Sequence, residues 1–466
     1  MFRKEEYSNR RNSLKANFKG GILLFLGNEE SPINFFDNTY QFRQDSSFLY
    51  YFGISAPKLA AVVDMDEDRT ILFGDEMSID EIVWMGQQQT LQHKANQSGI
   101  ESVEAAINLS SYLKAAKTKE RTIHFLPPYR AESRIKIASL INLAIDSVKE
   151  EASLLLIKAV VAQRSIKSAT ELIELDLASS ISADMHLMAM QMAKPGMKES
   201  EIAAAIHALA LKDGGNLAYP VILTVNGQIL HNHNHGNTLK EGDLVLNDSG
   251  AETNMGYAGD LTRTFPAGKK FDSRQQEMYS LVLKAYTNAV NALKPGIKYL
   301  DVHYTACLTL AEGLKEMGLM KGDMQDAVAE GAHALFFQCG TGHMMGLDVH
   351  DMEDLGEQYV GYTDELKKNT TQFGLKSLRL GKELETGHVL TVEPGLYFIP
   401  ELIEQWKATN KFADFINYNK VEKYKDFGGI RVEDDYVITE SSYRKLGKEL
   451  AISIKDIEEI REKSDF

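Results

Sequence analysis

The string Lys194-Pro-Gly-Met-Lys198 recurs 100 positions further on as Lys294-Pro-Gly-Ile-Lys298. Each copy follows an apolar helical segment (residues 183–193 and 279–293) and precedes another (199–211 and 300–317). Pro-Gly stops a helix, and in both places the next one restarts within a few residues. A helix-stopping pair used twice by coincidence would look the same. A duplicated helix-helix-strand half-domain accounts for more, and it places a shared site on the pseudo-two-fold axis between the halves. The residues with the chemistry described below fall into both halves, which favours duplication.

At roughly 150 residues per domain, 466 residues predict two or three packed units. The first third reads as α/β: short apolar or β-branched runs at 21–27, 59–63, 70–73 and 122–126 alternate with charged, helix-compatible stretches. Residues 131–162 read as helical, with Ile135, Ile137, Leu140, Ile141, Leu143, Ile145 and Val148 on an apolar face and no Gly or Pro to break it. A linker helix ending near Arg164 marks the boundary, so an N-terminal mixed-sheet domain is expected over 1–160 and a catalytic domain with the internal repeat over 161–466.

Lys and Arg number 51 against 66 Asp and Glu, a net charge of −15. Such a surface repels phosphates and anionic lipid, so neither nucleic acid nor a membrane is an expected partner. The longest apolar runs, 21–26 and 152–157, are far shorter than the roughly 20 residues of a membrane-spanning helix. The charged start, residues 1–7, lacks an apolar stretch followed by a cleavage site, so a soluble cytoplasmic protein is expected. Cys307 and Cys339 make neither a disulfide framework nor a thiolate metal cluster.

Five acid or histidine positions stand in marked contexts. Asp248 ends the strand-like run 243–248, and Asp260 lies on the return arm of what reads as a hairpin, which can bring both carboxylates to one end of a sheet. His343 sits among glycines in Gly340-Thr-Gly-His-Met-Met-Gly346. Glu393 follows the buried-strand pattern Val389-Leu-Thr-Val, and Glu433 lies in Gly428-Gly-Ile-Arg-Val-Glu-Asp-Asp435. Any one of these has an ordinary explanation as a solvated turn acid or a satisfied histidine. Jointly they do not, because carboxylates placed in apolar strands are costly unless their charge is matched. Four carboxylates and one imidazole form a hard ligand set for two divalent ions, Mn²⁺ first, with Co²⁺ or Zn²⁺ as alternatives. Two such ions can share a bridging hydroxide and polarise a carbonyl, which makes hydrolysis the natural reaction.

The strings Tyr257-Ala-Gly-Asp-Leu-Thr-Arg-Thr-Phe-Pro266, His343-Met-Met-Gly-Leu-Asp-Val-His-Asp351, Thr391-Val-Glu-Pro-Gly-Leu-Tyr397 and Gly429-Ile-Arg-Val-Glu-Asp-Asp435 are specific in combination. With them the chain resembles the aminopeptidase P and prolidase family of pita-bread metallopeptidases, and 42–53 and 84–86 extend the likeness into a creatinase-like N-terminal domain. The resemblance implies that Asp248 binds one ion, Asp260 and Glu433 bridge both, and His343 and Glu393 complete the set. Glu393 would also accept and relay a proton. His231 and His350 match positions that contact substrate and stabilise the tetrahedral intermediate; Arg379 and Arg431 are further candidates for substrate contact. His233 and His235 read instead as members of a solvated polar loop. The chain has eleven residues between Asp248 and Asp260 where the family usually has ten, and a one-residue bulge in the hairpin loop would absorb the difference.

The implied substrates are proline-containing peptides cleaved at an N-terminal Xaa-Pro bond. A tertiary Xaa-Pro amide has no N–H and a constrained ring, so it requires a dedicated site. The strings around Asp260 and Glu393 look more like aminopeptidase P, while the long segment between Glu393 and Glu433 and Arg379, matching a prolidase arginine that receives the dipeptide carboxylate, look like prolidase. Aminopeptidase is the expectation and dipeptidase its alternative. A metal-free pita-bread binding module or creatine hydrolase is disfavoured because all five ligand positions are retained. In relatives the N-terminal domain assists oligomer assembly, which implies a homo-oligomer, dimer or tetramer.

Overall fold

The computed structural model describes residues 1–464. Two compact units are present: residues 1–164 with 352–359, and residues 165–351 with 360–466.

The first unit is built on a five-stranded sheet in the order Ser102–Glu104, Arg69–Phe73, Ala60–Asp64, Ile22–Leu26, Ile123–Phe125. Ile22–Leu26 runs antiparallel to Ala60–Asp64 and parallel to Ile123–Phe125, so the sheet is mixed. Its middle strands are continuous apolar runs because helices and turns cover the sheet; Ile22, Leu24, Val62, Ile71 and Phe73 pack with Leu113, Ile137 and Val148. Four strands coincide with the apolar runs read from the sequence. The fifth, Ser-Val-Glu, is too short and polar to stand out. The stretch 131–162 is not one helix. Ala131–Ile141 ends at Asn142, whose φ of 54° is left-handed, and a 3₁₀ turn at Ile145–Ser147 precedes Leu154–Ser165. Asn tolerates this conformation nearly as glycine does, so the helix ends without Gly or Pro. The first unit's long N-terminal segment ends at Arg164.

The second unit contains the duplication. Ala169–Met192 and Glu199–Leu211 form one helix pair, Ser273–Ala292 and Tyr299–Glu316 the other. The first helix of each pair starts at a capping box, Ser168 with Glu171 and Asp272 with Gln275. At the repeated string the hydrogen bonds match one for one: Gly196 N donates to Leu239 O and Gly296 N to Leu384 O, each at 2.8 Å. Leu239 N and Leu384 N return bonds of 2.8 Å to Met197 O and Ile297 O. Asp248-Ser-Gly250 and Glu393-Pro-Gly395 then follow at the same interval in the two halves, so Asp248 and Glu393 are counterparts.

Each half contributes an antiparallel sheet, Leu261–Pro266, Leu244–Ser249, Ile222–Thr224 in the first and Val389–Val392, Asp434–Ile438, Tyr443–Lys445 in the second. They meet where Thr262 and Glu433 exchange backbone bonds, Glu433 N to Thr262 O at 3.1 Å and Thr262 N to Glu433 O at 3.4 Å. Gly196 and Gly296 have φ of 95° and 83°, and a Cβ would meet nothing within 4 Å at the first and only Glu383 Oε1, at 3.9 Å, at the second. Gly196→Ala and Gly296→Ala are therefore expected to cost the same, about 1 kcal/mol each from backbone conformation alone; urea unfolding of the two variants checks the equality.

Candidate dinuclear metal site

Asp248 and Asp260 reach the same end of the first sheet because the hairpin carrying them is in unbroken register, from Leu244 opposite Pro266 to Ser249 opposite Leu261. Glu252 opposite Ala258 continues the pairing to the tip. The eleven intervening residues are taken up there: Gly256 N bonds to Thr253 O at 2.9 Å, Thr253 N bonds to Tyr257 O at 2.9 Å, and Gly256 has φ of 86°. A left-handed glycine closing a three-residue turn is a usual hairpin end. The irregularity stays in the loop, as expected, and both carboxylates keep their facing.

His343 is presented by a loop that runs beside the second sheet, with its backbone N–H on Thr391 Oγ1 at 3.3 Å and its Nδ1 donating to Met344 O at 3.0 Å. That bond leaves Nε2 facing the acids, 3.3 Å from Asp260 Oδ2 and 3.7 Å from Glu393 Oε1. Glu393 is anchored through its backbone N–H to Thr341 O at 2.7 Å. Glu433 Oε2 accepts from Thr262 Oγ1 at 2.6 Å. Donor atoms of Asp260, His343 and Glu433 all lie within 4.8 Å of one another, with all three side chains buried.

Asp248 and Glu393 complete the lining of the same cavity, about 310 Å³, as do His231, His350, Arg379 and Arg431. All nine residues singled out in the sequence thus face one space. The His350 ring stands edge-on to His343 with centroids 4.4 Å apart. His233 lies at the cavity while remaining exposed, in keeping with a solvated loop, and His235 bonds to Val221 O at 3.1 Å. Arg431 does not project freely toward a substrate: it forms a close ion pair with Asp248 and donates to Tyr397 OH at 2.8 Å and Thr262 Oγ1 at 3.2 Å.

Burial raises Glu393 to about 7, and neighbouring Asp260 and Asp248 push it the same way. Glu433 is raised well above the ordinary carboxylate range, by burial first and then by Asp260, Glu393 and Asp248. Acids crowded in this way stay charged only beside cations. An oxygen-rich set with a single imidazole fits divalent ions.

Two further residues shape the cluster. The Tyr219 hydroxyl lies 2.6 Å from Asp248 Oδ1 and 2.5 Å from Asp260 Oδ1, so one proton serves both acids. Asp435 Oδ2 accepts from Asp260 N at 3.1 Å and from Ser179 Oγ at 2.6 Å, fixing the backbone that carries Asp260. Neither carried a usable signal: Tyr219 stands in an unmarked Ala-Tyr-Pro stretch, and Asp435 is one of three successive acids.

Residues 174–440 match the model of metallopeptidase family M24, and residues 7–124 match the aminopeptidase P N-terminal domain. The chain belongs to family M24. It is 30% identical to the human Xaa-Pro dipeptidase over 92% of this chain and 86% of that one, and 29% identical to the Escherichia coli Xaa-Pro aminopeptidase over 98% and 97%. The structure of zinc-substituted E. coli aminopeptidase P in complex with product superposes with a TM-score of 0.81 at 27% identity, covering 100% of this chain and 99% of that one. Aminopeptidase P of the same organism with the inhibitor Pro-Leu gives 0.80 at 28% identity, covering 99% of each chain. As an M24 metallopeptidase the protein is a hydrolase with the two-domain α/β build anticipated above. Among the described residues no helix is long and apolar enough to cross a membrane.

Tyr219→Phe removes the shared proton while keeping the ring. Metal affinity is expected to fall roughly 10–100-fold with the fold intact, measured by metal titration alongside circular dichroism. A second prediction concerns His186, fully buried with Nδ1 accepting from Asn247 Nδ2 at 3.0 Å and Nε2 donating to Ser249 O at 3.1 Å, on either side of Asp248. Burial, aided by Arg263, lowers it to about 4. Its folded pKa lies below the unfolded one near 6.5, so its contribution is complete above that pH and is lost as pH falls toward 4. The loss is up to about 3 kcal/mol. Urea midpoints between pH 7 and 4.5 should fall less steeply in His186→Gln than in the natural protein.

Proposed function

We propose that this metallopeptidase is an Xaa-Pro aminopeptidase, releasing the N-terminal residue of peptides whose second residue is proline. The observation that carries this reading is the single cavity in which the five ligand candidates face His231, His350 and Arg379. The name of the Escherichia coli relative agrees with it, and that of the human relative agrees with the dipeptidase alternative.

Asp248, Asp260, His343, Glu393 and Glu433 would hold two divalent ions, Mn²⁺ by preference, and bound there the ions supply Lewis acidity toward a carbonyl and a nucleophile at neutral pH. Glu393 would accept a proton and return it to the departing prolyl nitrogen. His231 and His350 would donate hydrogen bonds to the carbonyl oxygen as it gains charge. Arg431, held on Asp248, Tyr397 and Thr262, would shape the wall that the substrate meets. The domains 1–160 and 161–466 would divide assembly from catalysis, in a cytoplasmic dimer or tetramer.

A dipeptidase is the second reading, because Arg379 lines the cavity and a guanidinium there can fork onto a dipeptide carboxylate. Comparison of Xaa-Pro dipeptides with Xaa-Pro-Yaa tripeptides and longer chains, with Mn²⁺ added, decides between them. Longer substrates are expected to be preferred; cleavage of dipeptides alone would overturn the aminopeptidase reading. Asp260→Asn should abolish metal loading and turnover together, and an active, metal-free variant would sink the scheme. Arg379→Ala is expected to leave KM for long peptides within about threefold, whereas loss of dipeptide binding would mark a dipeptidase.

A further inference from the structure

The loop 343–351 carries both His343 and His350 into the cavity. It meets the second sheet at the bridge between Met344 and Leu390, and His350 lies well beyond that point in the chain. Asp351 closes the loop. Its backbone N–H donates to Met344 O at 3.0 Å, the same carbonyl that accepts from His343 Nδ1 at 3.0 Å. Its carboxylate folds back over Gly346, so close that a Cβ there would collide with Asp351 Oδ2.

Lys167 holds that carboxylate. Its Nζ is 2.8 Å from Asp351 Oδ2, and both side chains are 1% exposed. Lys167 is itself fixed: its backbone N–H donates to Gly387 O at 2.9 Å, just before the strand Val389–Val392 that leads to Glu393, and the next residue, Ser168, caps the helix Ala169–Met192. The ammonium is thus built on the frame that carries the carboxylate cluster, while the aspartate belongs to the loop. The chain leaves the loop through Met352, whose φ of 61° is left-handed and costly for a residue with a side chain. A loop that ends under such strain relaxes unless its last residue is tied down.

We propose that Lys167 is a positioning residue, fixing Asp351 so that the ring of the preceding residue, His350, faces the scissile carbonyl. The role presupposes Xaa-Pro hydrolysis in this cavity with His350 as a hydrogen-bond donor, and it deepens that reading. A buried ion pair adds little net stability over an apolar pair of like size, so its retention here is explained by position rather than energy. Without the ammonium the carboxylate is drawn toward water, and the backbone it shares with His350 moves with it. His343 keeps its own bond to Thr391 Oγ1, so the displacement falls on His350 and spares the ligand. A shift of about 1 Å at a group facing the reacting atoms is enough to lower turnover about 100-fold.

The test compares the metal-loaded natural protein, Lys167→Met, His350→Ala and the double variant on Xaa-Pro peptides. Lys167→Met is expected to lose about 10–100-fold in kcat, with KM within about threefold and metal content unchanged. Lys167→Arg, which keeps the charge, should recover most of the loss. With His350 already truncated, Lys167→Met should cost less than about twofold more, because residues that act as a unit are not additive. Should Lys167→Met fold poorly by circular dichroism, Lys167→Met combined with Asp351→Leu fills the same space without charge and is expected to fold while keeping the low kcat. Full kcat in Lys167→Met, an equal loss with and without the His350 imidazole, a loss that tracks metal content, or full kcat in the uncharged pair would overturn the positioning role alone. A natural protein that cleaves no Xaa-Pro peptide would overturn the proposed function itself, and the positioning role with it.

Discussion

The catalytic unit depends on the crossing of Thr262 and Glu433, where the sheets of its two halves join. Backbone bonds run both ways between these residues, and the Thr262 hydroxyl donates to the Glu433 carboxylate at 2.6 Å. Directly behind, Arg263 and Asp434, both 0% exposed, form a two-bond ion pair at 2.9 and 3.1 Å. Arg263 also donates to Glu433 O at 2.7 Å, and Lys445 approaches Asp434 at 3.2 Å. Buried charges of this kind add little net stability over an apolar pair, but removing one partner strands the other. Their contribution is specificity: they fix the register in which the halves join, and that register sets Glu433 opposite Thr262, with its carboxylate within 4.8 Å of that of Asp260.

A scaffold this constrained can tolerate an electrostatically unfavourable cluster. Four acids are held close on strand ends and hairpin arms whose hydrogen bonds lie elsewhere, so their repulsion does not relax by moving apart. Tyr219 and Arg431 partly offset it by placing one shared proton and one positive charge against Asp248. The remaining imbalance favours cations. Packing thus dictates geometry, and geometry dictates affinity for ions.

Most of this was legible in the sequence because each signal was local. Pro-Gly punctuation exposed the duplication, and acids at strand ends beside glycine pointed to the candidate ligands that line the cavity. What escaped was either conformational or purely spatial. Asn142 breaks a helix that Gly or Pro would have announced. Tyr219 and Asp435 act through partners distant in the chain, 41 and 175 residues away at Asp260.

The duplication has one more consequence, visible when the two ladders are overlaid. Gly395 pairs with Arg431, and the same step in the first half sets Gly250 against Asp260. Where one half places a carboxylate, the other places a guanidinium; where the second half has Glu433, the first has Thr262. A perfectly mirrored pocket would accept a chain equally well forwards or backwards, since a two-fold axis exchanges its ends. The unlike decoration of like positions removes that ambiguity and gives the cavity a head and a tail, as an enzyme that reads polypeptides from one terminus requires.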